Sequence, residues 1–419
     1  MPERIAVVGH AAVTCLGRDL DTTWRALLAG RSGIKRHPDL LPADRFLQDI
    51  AGVVDDFGPG STTEDPAVSR LGARSIHLGL AAARMAWSDA GLNGHGYDPD
   101  RVALVVGSAM GGIDLLDVET AKAAGRKSLA ASPYLVPGLI INQTIGQIAQ
   151  HMKLHGPSLA PANACASGGH AIAMAALLLR AGEADLALCG AAESAFTPPI
   201  INGFATMKAL LGKKAGDRSI DDPSQASRPF SVDRAGFVLS EGAGMLALAT
   251  ESAVRRMGLT PLAELRGWAM NSDGHHMTMP EPGKVAKCLR MAIKHAGMTP
   301  DDIDYYNAHG TSTTVNDSLE TAAIREVFGP RADRLPVSSI KGALGHGLGA
   351  ASAIEAAICV RAIHESMVPP TINYRPDPTL TLDYVPGEGR SARIDAVLSA
   401  SFGFGGTNNA LVFGRWTDA

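Results

Sequence analysis

Short apolar runs alternate with longer Ala- and Leu-rich stretches along this chain. The runs Ile5–Val8, Val102–Gly107, Leu186–Gly190, Met245–Ala249, Tyr305–Ala308 and Ala396–Ser401 have strand length and little polar interruption, which predicts buried strands. Ser75–Ala90, Ala166–Ala181, Lys284–Ala296, Leu319–Phe328 and Ala350–Ala362 are long enough for helices. That alternation is the pattern of an α/β fold. Gly212–Arg234 is polar and irregular, and predicts a surface loop. A seam is expected at Thr250–Leu262, where a strand ends and Pro261 interrupts the pattern, dividing the chain into 1–255 and 256–419. The seam has no linker composition, so the two halves should share a core.

Composition narrows the class. Of 419 residues, 46% are hydrophobic and 19% charged, which suits a chain with a large core and excludes disorder. The net charge of −4 excludes a basic nucleic-acid binder. The apolar run Ala171–Leu179 falls short of the about 18 residues that read as a membrane span. Met1–Arg4 followed by Ile5–Val8 has no signal-peptide pattern, so a soluble cytoplasmic protein without a membrane partner is expected. The five cysteines (Cys15, Cys165, Cys189, Cys288, Cys359) are an odd, widely spaced set with no Cys-x-x-Cys pair, which points away from zinc and redox dithiols.

Three constellations carry chemistry. Asn163-Ala164-Cys165-Ala166-Ser167-Gly168-Gly169-His170 opens a nearly all-apolar helical run. A cysteine there would feel the positive end of the helix and unpaired N–H groups, both favouring thiolate. Its small neighbours would leave room for a bulky thioester. The pattern alone leaves open a buried structural cysteine, the reading that applies to Cys15, Cys189, Cys288 and Cys359. Tyr305–Thr313 runs from a strand into His309-Gly310 and a hydroxyl-rich loop, a place where a histidine is rigid yet can face a cleft or simply serve the turn. Ser338–Gly349 carries Lys341 and His346 ahead of the helix with Glu355. The positive end of that helix would disfavour imidazolium at His346.

The C-terminal Ser401-Phe402-Gly403-Phe404-Gly405-Gly406-Thr407-Asn408 can turn sharply and aim N–H groups at an oxyanion. It has neither Gly-x-Gly-x-x-Gly opening a helix nor a Walker sequence, so a nucleotide site is a weak alternative. His275-His276 lacks a metal-binding frame and is assigned to a loop or pocket wall; no metal is expected.

Cys165, His309 and His346, in that order and each in a glycine-rich frame, resemble the beta-ketoacyl-[acyl carrier protein] synthases. The resemblance extends over Ile5–Gly17, Trp24–Gly30, Ala164–Ser167, Arg228-Pro229-Phe230, Glu241–Gly244, Asn307–Thr313, Lys341–His346 and Phe402–Asn408, essentially the whole chain. It implies a thiolase-like fold of two similar halves in five α/β layers, normally dimeric, with the cysteine in one half and both histidines in the other. It implies an acyltransferase whose Cys165 takes an acyl chain from a carrier-protein thioester, with the N–H groups of Cys165 and Phe404 as oxyanion hole. His309 and His346 would promote decarboxylation of malonyl-[acyl carrier protein] and stabilise the enolate that attacks the acyl-enzyme. Lys341 and Glu355 would orient the site, although each could instead form a surface salt bridge. Thr311 and Thr313 would bind the pantetheine arm, Phe404 would gate the acyl pocket, and Met110 and Phe402 would line it. No free cofactor is implied, since substrates ride on the phosphopantetheine of acyl carrier protein.

The sequence also departs from the family. Thr314-Val315-Asn316-Asp317 stands where primary fatty-acid synthases more often have Pro-x-Gly-Asp, Gly342-Ala343-Leu344 precedes Gly345-His346, and Asn163 lies two residues before the nucleophile. These departures open a specialised polyketide or polyene role beside fatty-acid synthesis, and a heterodimer with a chain-length-factor-like subunit beside a homodimer. A Cys/His hydrolase would need only one histidine, and a thiolase acting on coenzyme A would use a late second cysteine, whereas none follows Cys359.

Overall fold

A computed structural model describes residues 3–57, 72–94, 96–125, 130–211 and 220–417. Ten strands form its main sheet: β1 Ile5–Val13, β2 Val102–Gly107, β3 Ser158–Leu159, β4 Leu186–Glu193, β5 Gly242–Thr250, β6 Ala263–Ser272, β7 Tyr305–Asn307, β8 Val337–Ser338, β9 Ala396–Gly403 and β10 Thr407–Gly414. Across the sheet their order is β8-β7-β9-β10-β6-β1-β5-β4-β2-β3. From the centre outward, β1-β5-β4-β2-β3 and β6-β10-β9-β7-β8 repeat one plan, two antiparallel pairings followed by two parallel ones. Only Ala6 opposite Glu264 and Val7 opposite Ala263 join the two halves along β1 and β6.

Helices fill the spaces on either side of these strands. Central helices α2 (Ser167–Arg180) and α5 (Ala351–Glu365) place Ile172, Ala176, Ala356 and Val360 in a core shared with Leu246 of β5 and Leu411 of β10. Helix α1 (Arg74–Asp89) packs Leu78 and Ala82 over Leu104 and Leu188 on the outer face of the first half. On the outer face of the second half, α3 (Pro282–His295) and α4 (Thr314–Phe328) pack Leu289 and Ile324 over Leu398 and Val412. The result is five layers, α/β/α/β/α, in which every strand of the main sheet except the exposed edge strand β3 has apolar neighbours above and below. That is why the strands read as continuous apolar runs rather than as alternations.

β1 shows how local detail is set by packing. Ile5 and Val7 face the central core while Ala6 and Val8 face α1; a register shift between Val7 and Gly9 then inverts the parity, so that Ala12 faces the centre and Ala11 and Val13 face outward. An extra residue in one strand does this because side chains alternate with period two.

The expected strands and helices form with edges moved by a few residues, but the short edge strands β3 and β8 and the long strands β6 and β10 were not anticipated. β10 begins Thr407-Asn408-Asn409, a polar start that hides a strand whose asparagines are buried and hydrogen-bonded, Asn408 to Asn271 at 3.0 Å and Asn409 to the Ala269 carbonyl at 3.1 Å. The glycine-rich segment before it is therefore a hairpin between β9 and β10. The expected surface loop at Gly212–Arg234 needs correction. Residues 212–219 lie outside the described residues, and beyond them Ser227, Phe230 and Ser231 are buried. Phe230 stacks on Tyr384 at 4.3 Å, and its N–H donates to Asp317 at 2.8 Å.

Candidate active site

Ala164 has φ of 48°, a strained value for a residue with a side chain, and begins a single 3-10 turn, Ala164–Ala166, that leads into α2. Ser167 braces the turn by donating to the Ala164 carbonyl at 2.7 Å and accepting from the Asn163 N–H at 2.9 Å. The turn lifts Cys165 off the end of α2 into the base of a cavity of about 630 Å³. The small residues beside it serve a purpose other than the expected one. A methyl group at Gly168 would lie 2.7 Å from the Ala353 nitrogen, and one at Gly169 would collide with Asn409. These glycines admit neighbouring elements of the protein, not substrate.

His346 is set by backbone. Gly345, at φ of 74°, turns the chain so that the His346 N–H donates to the Val238 carbonyl at 2.7 Å and its carbonyl accepts from Ser240 at 3.0 Å. Its ring packs edge-on against Phe237 at 5.3 Å and brings Nε2 to 3.1 Å from Cys165 Sγ. His309 is set by carboxylates. Glu320 of α4 accepts from the N–H groups of His309 and Gly310, both at 2.8 Å, and Asp317 accepts from Thr311 at 3.0 Å. The His309 ring lies edge-on to His346 at 5.4 Å and to Phe402 at 5.5 Å. Cys165 Sγ and the ring nitrogens of both histidines lie within 4.8 Å of one another, the one metal-like His/Cys/Asp/Glu grouping among the described residues.

Electrostatics at this base are dominated by desolvation. Burial pushes the Cys165 thiol up to about 11, against the lowering effect of Lys341 and of the Phe404 N–H. The helix end that the sequence suggested would favour thiolate is thus outweighed. His346 is held well below its ordinary value, the direction expected, and burial followed by Lys341 accounts for the lowering. His309 is lowered for the same two reasons, with His346 adding to them. Both rings are therefore neutral near pH 7. Lys341 and Glu355 are not a surface pair: they form a fully buried ion pair, with Ser401 donating to the far oxygen of Glu355 at 3.5 Å.

The remaining expected residues line the same cavity. Thr311 and Thr313 hydrogen-bond each other at 2.9 Å, and Thr313 also caps α4 by accepting from Asn316. Met110, Phe402 and Phe404 are on the wall, where Phe404 leans toward Phe204 at 6.4 Å. His275 and His276 are exposed; from their loop it is Thr278, Met279 and Pro280 that reach the wall.

Three buried carboxylates were missed. Glu320 and Asp317 shape the His309 loop. Glu193, at the end of β4, accepts from Ser108 at 3.0 Å and from the amides of Ala109 and Met110, and so carries the pocket wall that includes Met110. Burial raises Glu193 and Glu320 to about 7 and Asp317 to about 6. The Asp317/Glu320 pair had a readable signal: acidic residues three apart at the start of a helix that follows a His-Gly turn.

Residues 2–253 match the beta-ketoacyl synthase N-terminal domain, and residues 262–375 match the beta-ketoacyl synthase C-terminal domain. The chain is 38% identical to the 3-oxoacyl-[acyl-carrier-protein] synthase 2 of Coxiella burnetii, with 99% of each chain covered. It is 36% identical to the tetracenomycin polyketide synthase ketoacyl synthase alpha subunit of Streptomyces glaucescens, over 99% of this chain and 97% of that one. In three dimensions it is similar to the ishigamide ketosynthase/chain length factor, with a TM-score of 0.90 and 31% identity over the full length of both chains. It is also similar to a ketosynthase in complex with its type II polyketide acyl-carrier protein, with a TM-score of 0.89, 29% identity and full coverage of both chains.

Proposed function

The chain belongs to the beta-ketoacyl synthase family of condensing acyltransferases, and we propose that Cys165 is the nucleophile that carries the growing acyl chain. Its 3.1 Å approach to His346 is the observation that carries this reading. In the first half-reaction Sγ attacks the carbonyl carbon of an acyl-[acyl carrier protein] thioester while its proton passes to the neutral His346. A raised thiol pKa makes that acceptor necessary. The N–H groups of Cys165 and Phe404 stabilise the oxyanion. The carbon–sulfur bond to phosphopantetheine then breaks, and the leaving thiolate takes the proton.

In the second half-reaction malonyl-[acyl carrier protein] enters along Thr311 and Thr313. Its carbon–carboxylate bond breaks, carbon dioxide leaves, and the electron pair becomes an enolate whose oxygen accepts hydrogen bonds from the neutral His309 and His346. The enolate carbon attacks the acyl-Cys165 carbonyl and releases Sγ, giving beta-ketoacyl-[acyl carrier protein]. Lys341 and Glu355 are positioning residues here, since Lys341 adds to the burial that keeps both rings neutral, and it lowers the thiol. Met110, Phe402 and Phe404 bound the acyl chain. A thiol pushed up by burial is a poor metal ligand, which favours acyl chemistry for this donor set.

The pathway is fatty-acid or specialised polyketide synthesis, with acyl carrier protein as partner and either a second copy or a chain-length-factor-like subunit completing a dimer. The residue division at 1–255 and 256–419 and a cytoplasmic location belong to the same proposal; among the described residues no helix is long and apolar enough to cross a membrane. The test is intact-mass analysis after incubation with acyl-carrier-protein thioesters, followed by malonyl carrier protein. Wild type should gain an acyl adduct and discharge it as beta-ketoacyl product, Cys165→Ala should gain none, and His309→Ala should gain the adduct but retain it. An adduct on Cys165→Ala would remove the nucleophile assignment.

A further inference from the structure

We infer that Asn316 is a positioning residue for condensation that keeps the carboxylate cradle under His309 in its hydrogen-bond-accepting form. The inference rests on the reading of His309 given above. Asn316 is buried at the cavity wall in the first turn of α4. Its side-chain amide donates to Asp317 Oδ1 at 3.2 Å and to Glu320 Oε2 at 3.4 Å, and so bridges the two carboxylates that hold the His309–Thr311 backbone.

The rest of the cradle shows why a donor at this point matters. Glu320 Oε1 accepts from the His309 N–H at 2.8 Å and the Tyr306 hydroxyl at 3.1 Å, and its Oε2 accepts from the Gly310 N–H at 2.8 Å. Asp317 Oδ1 accepts from Thr311 at 3.0 Å and its Oδ2 from Phe230 at 2.8 Å. These bonds are N–H and O–H donations into oxygen, so each weakens when a carboxyl takes a proton. Burial and the mutual repulsion of two acids favour that proton. Lys341 and Arg234 are the other charged groups facing the pair from neighbouring elements, together with the phenols of Tyr306 and Tyr384. Asn316 supplies a donor that cannot itself ionise.

The distinguishing comparison is between Asn316→Ala, which removes the donor, and Asn316→Asp, which keeps the shape and replaces the donor with a third acid. Both should acylate Cys165 at the wild-type rate by intact mass. Condensation should fall about tenfold in Asn316→Ala and further in Asn316→Asp. The acid limb of the condensation pH profile should move up by about one pH unit in Asn316→Ala, because an acid that loses a donor to its ionised form is protonated at higher pH. Wild-type rate and pH profile in Asn316→Asp would overturn the inference, since they would mean that only the shape is used. If either variant unfolds, Asn316→Gly, which likewise lacks the donor, is measured by the same two readouts, and a wild-type rate and pH profile there would equally overturn the inference. His309→Ala run in parallel separates the two failures: normal condensation there removes the His309 reading, whereas a dead His309→Ala beside a normal Asn316→Asp removes only the role of Asn316.

Discussion

The two central helices begin in the same way and end up with different chemistry. Each is entered through a 3-10 turn whose first residue carries a side chain at positive φ, Ala164 at 48° before α2 and Leu348 at 45° before α5. Counting back from Ser167 and Ala351, Cys165 and Gly349 occupy the same place in the two turns. In the first half that place holds the thiol. In the second it holds no side chain, because a methyl group there would stand 2.6 Å from the Ala109 nitrogen and 2.7 Å from Glu193. The repeated backbone therefore builds two sockets: one presents the Cys165 thiol to the cavity, and the other receives the carboxylate that carries the opposite pocket wall. A further difference lies deeper. The fifth residue of α5 is Glu355, paired with Lys341, whereas the fifth residue of α2 is Ala171 in the apolar core.

That asymmetry can be broken, most severely at the ion pair. Lys341→Ala strands Glu355 in a dry core, a change that costs about 3–5 kcal/mol, to be read from chemical denaturation. The same variant should shift the pH dependence of iodoacetamide labelling at Cys165 upward, since Lys341 is the largest influence lowering that thiol. Unchanged labelling would mean that the asymmetry of the two helices does not reach the nucleophile. Next in size is Gly349→Ala, which overpacks the second socket and should cost about 1–3 kcal/mol, with slower condensation because the Glu193 wall is displaced. Stability equal to wild type would show that the sockets are interchangeable. Smallest is Ala164→Gly, which relieves a positive-φ strain and should leave the thermal midpoint unchanged or raise stability by up to about 1 kcal/mol. A clear loss would mean that the turn is held by contacts of the Ala164 methyl and not by backbone geometry.

Much of this was legible in the chain. β2 has the residues its apolar run predicts, and α2 and α5 lie within a few residues of the Ala-rich stretches that mark them. Cys165, His309 and His346 could be named because each sits in a short frame of glycine and small residues with its own local logic, whereas Lys341, Glu355 and Phe404 came only from the family resemblance. β10 was not legible, since its opening asparagines satisfy their amides against β6, a strand distant in sequence. Glu193 was hidden for the same reason: nothing local distinguishes a carboxylate that will collect buried N–H groups from one that will face water.

By itself the sequence determined the alternation of elements, the order of the reactive residues and the family they belong to, because periodicity and short motifs depend on neighbours a few positions apart. Only the tertiary structure decided which groups are charged. Cys165 and His346 are 181 residues apart in the chain and 3.1 Å apart in space, and their enclosure raises the thiol and lowers the imidazole whatever their local motifs favour. Desolvation comes from everything that packs around a group, and no window of sequence contains that.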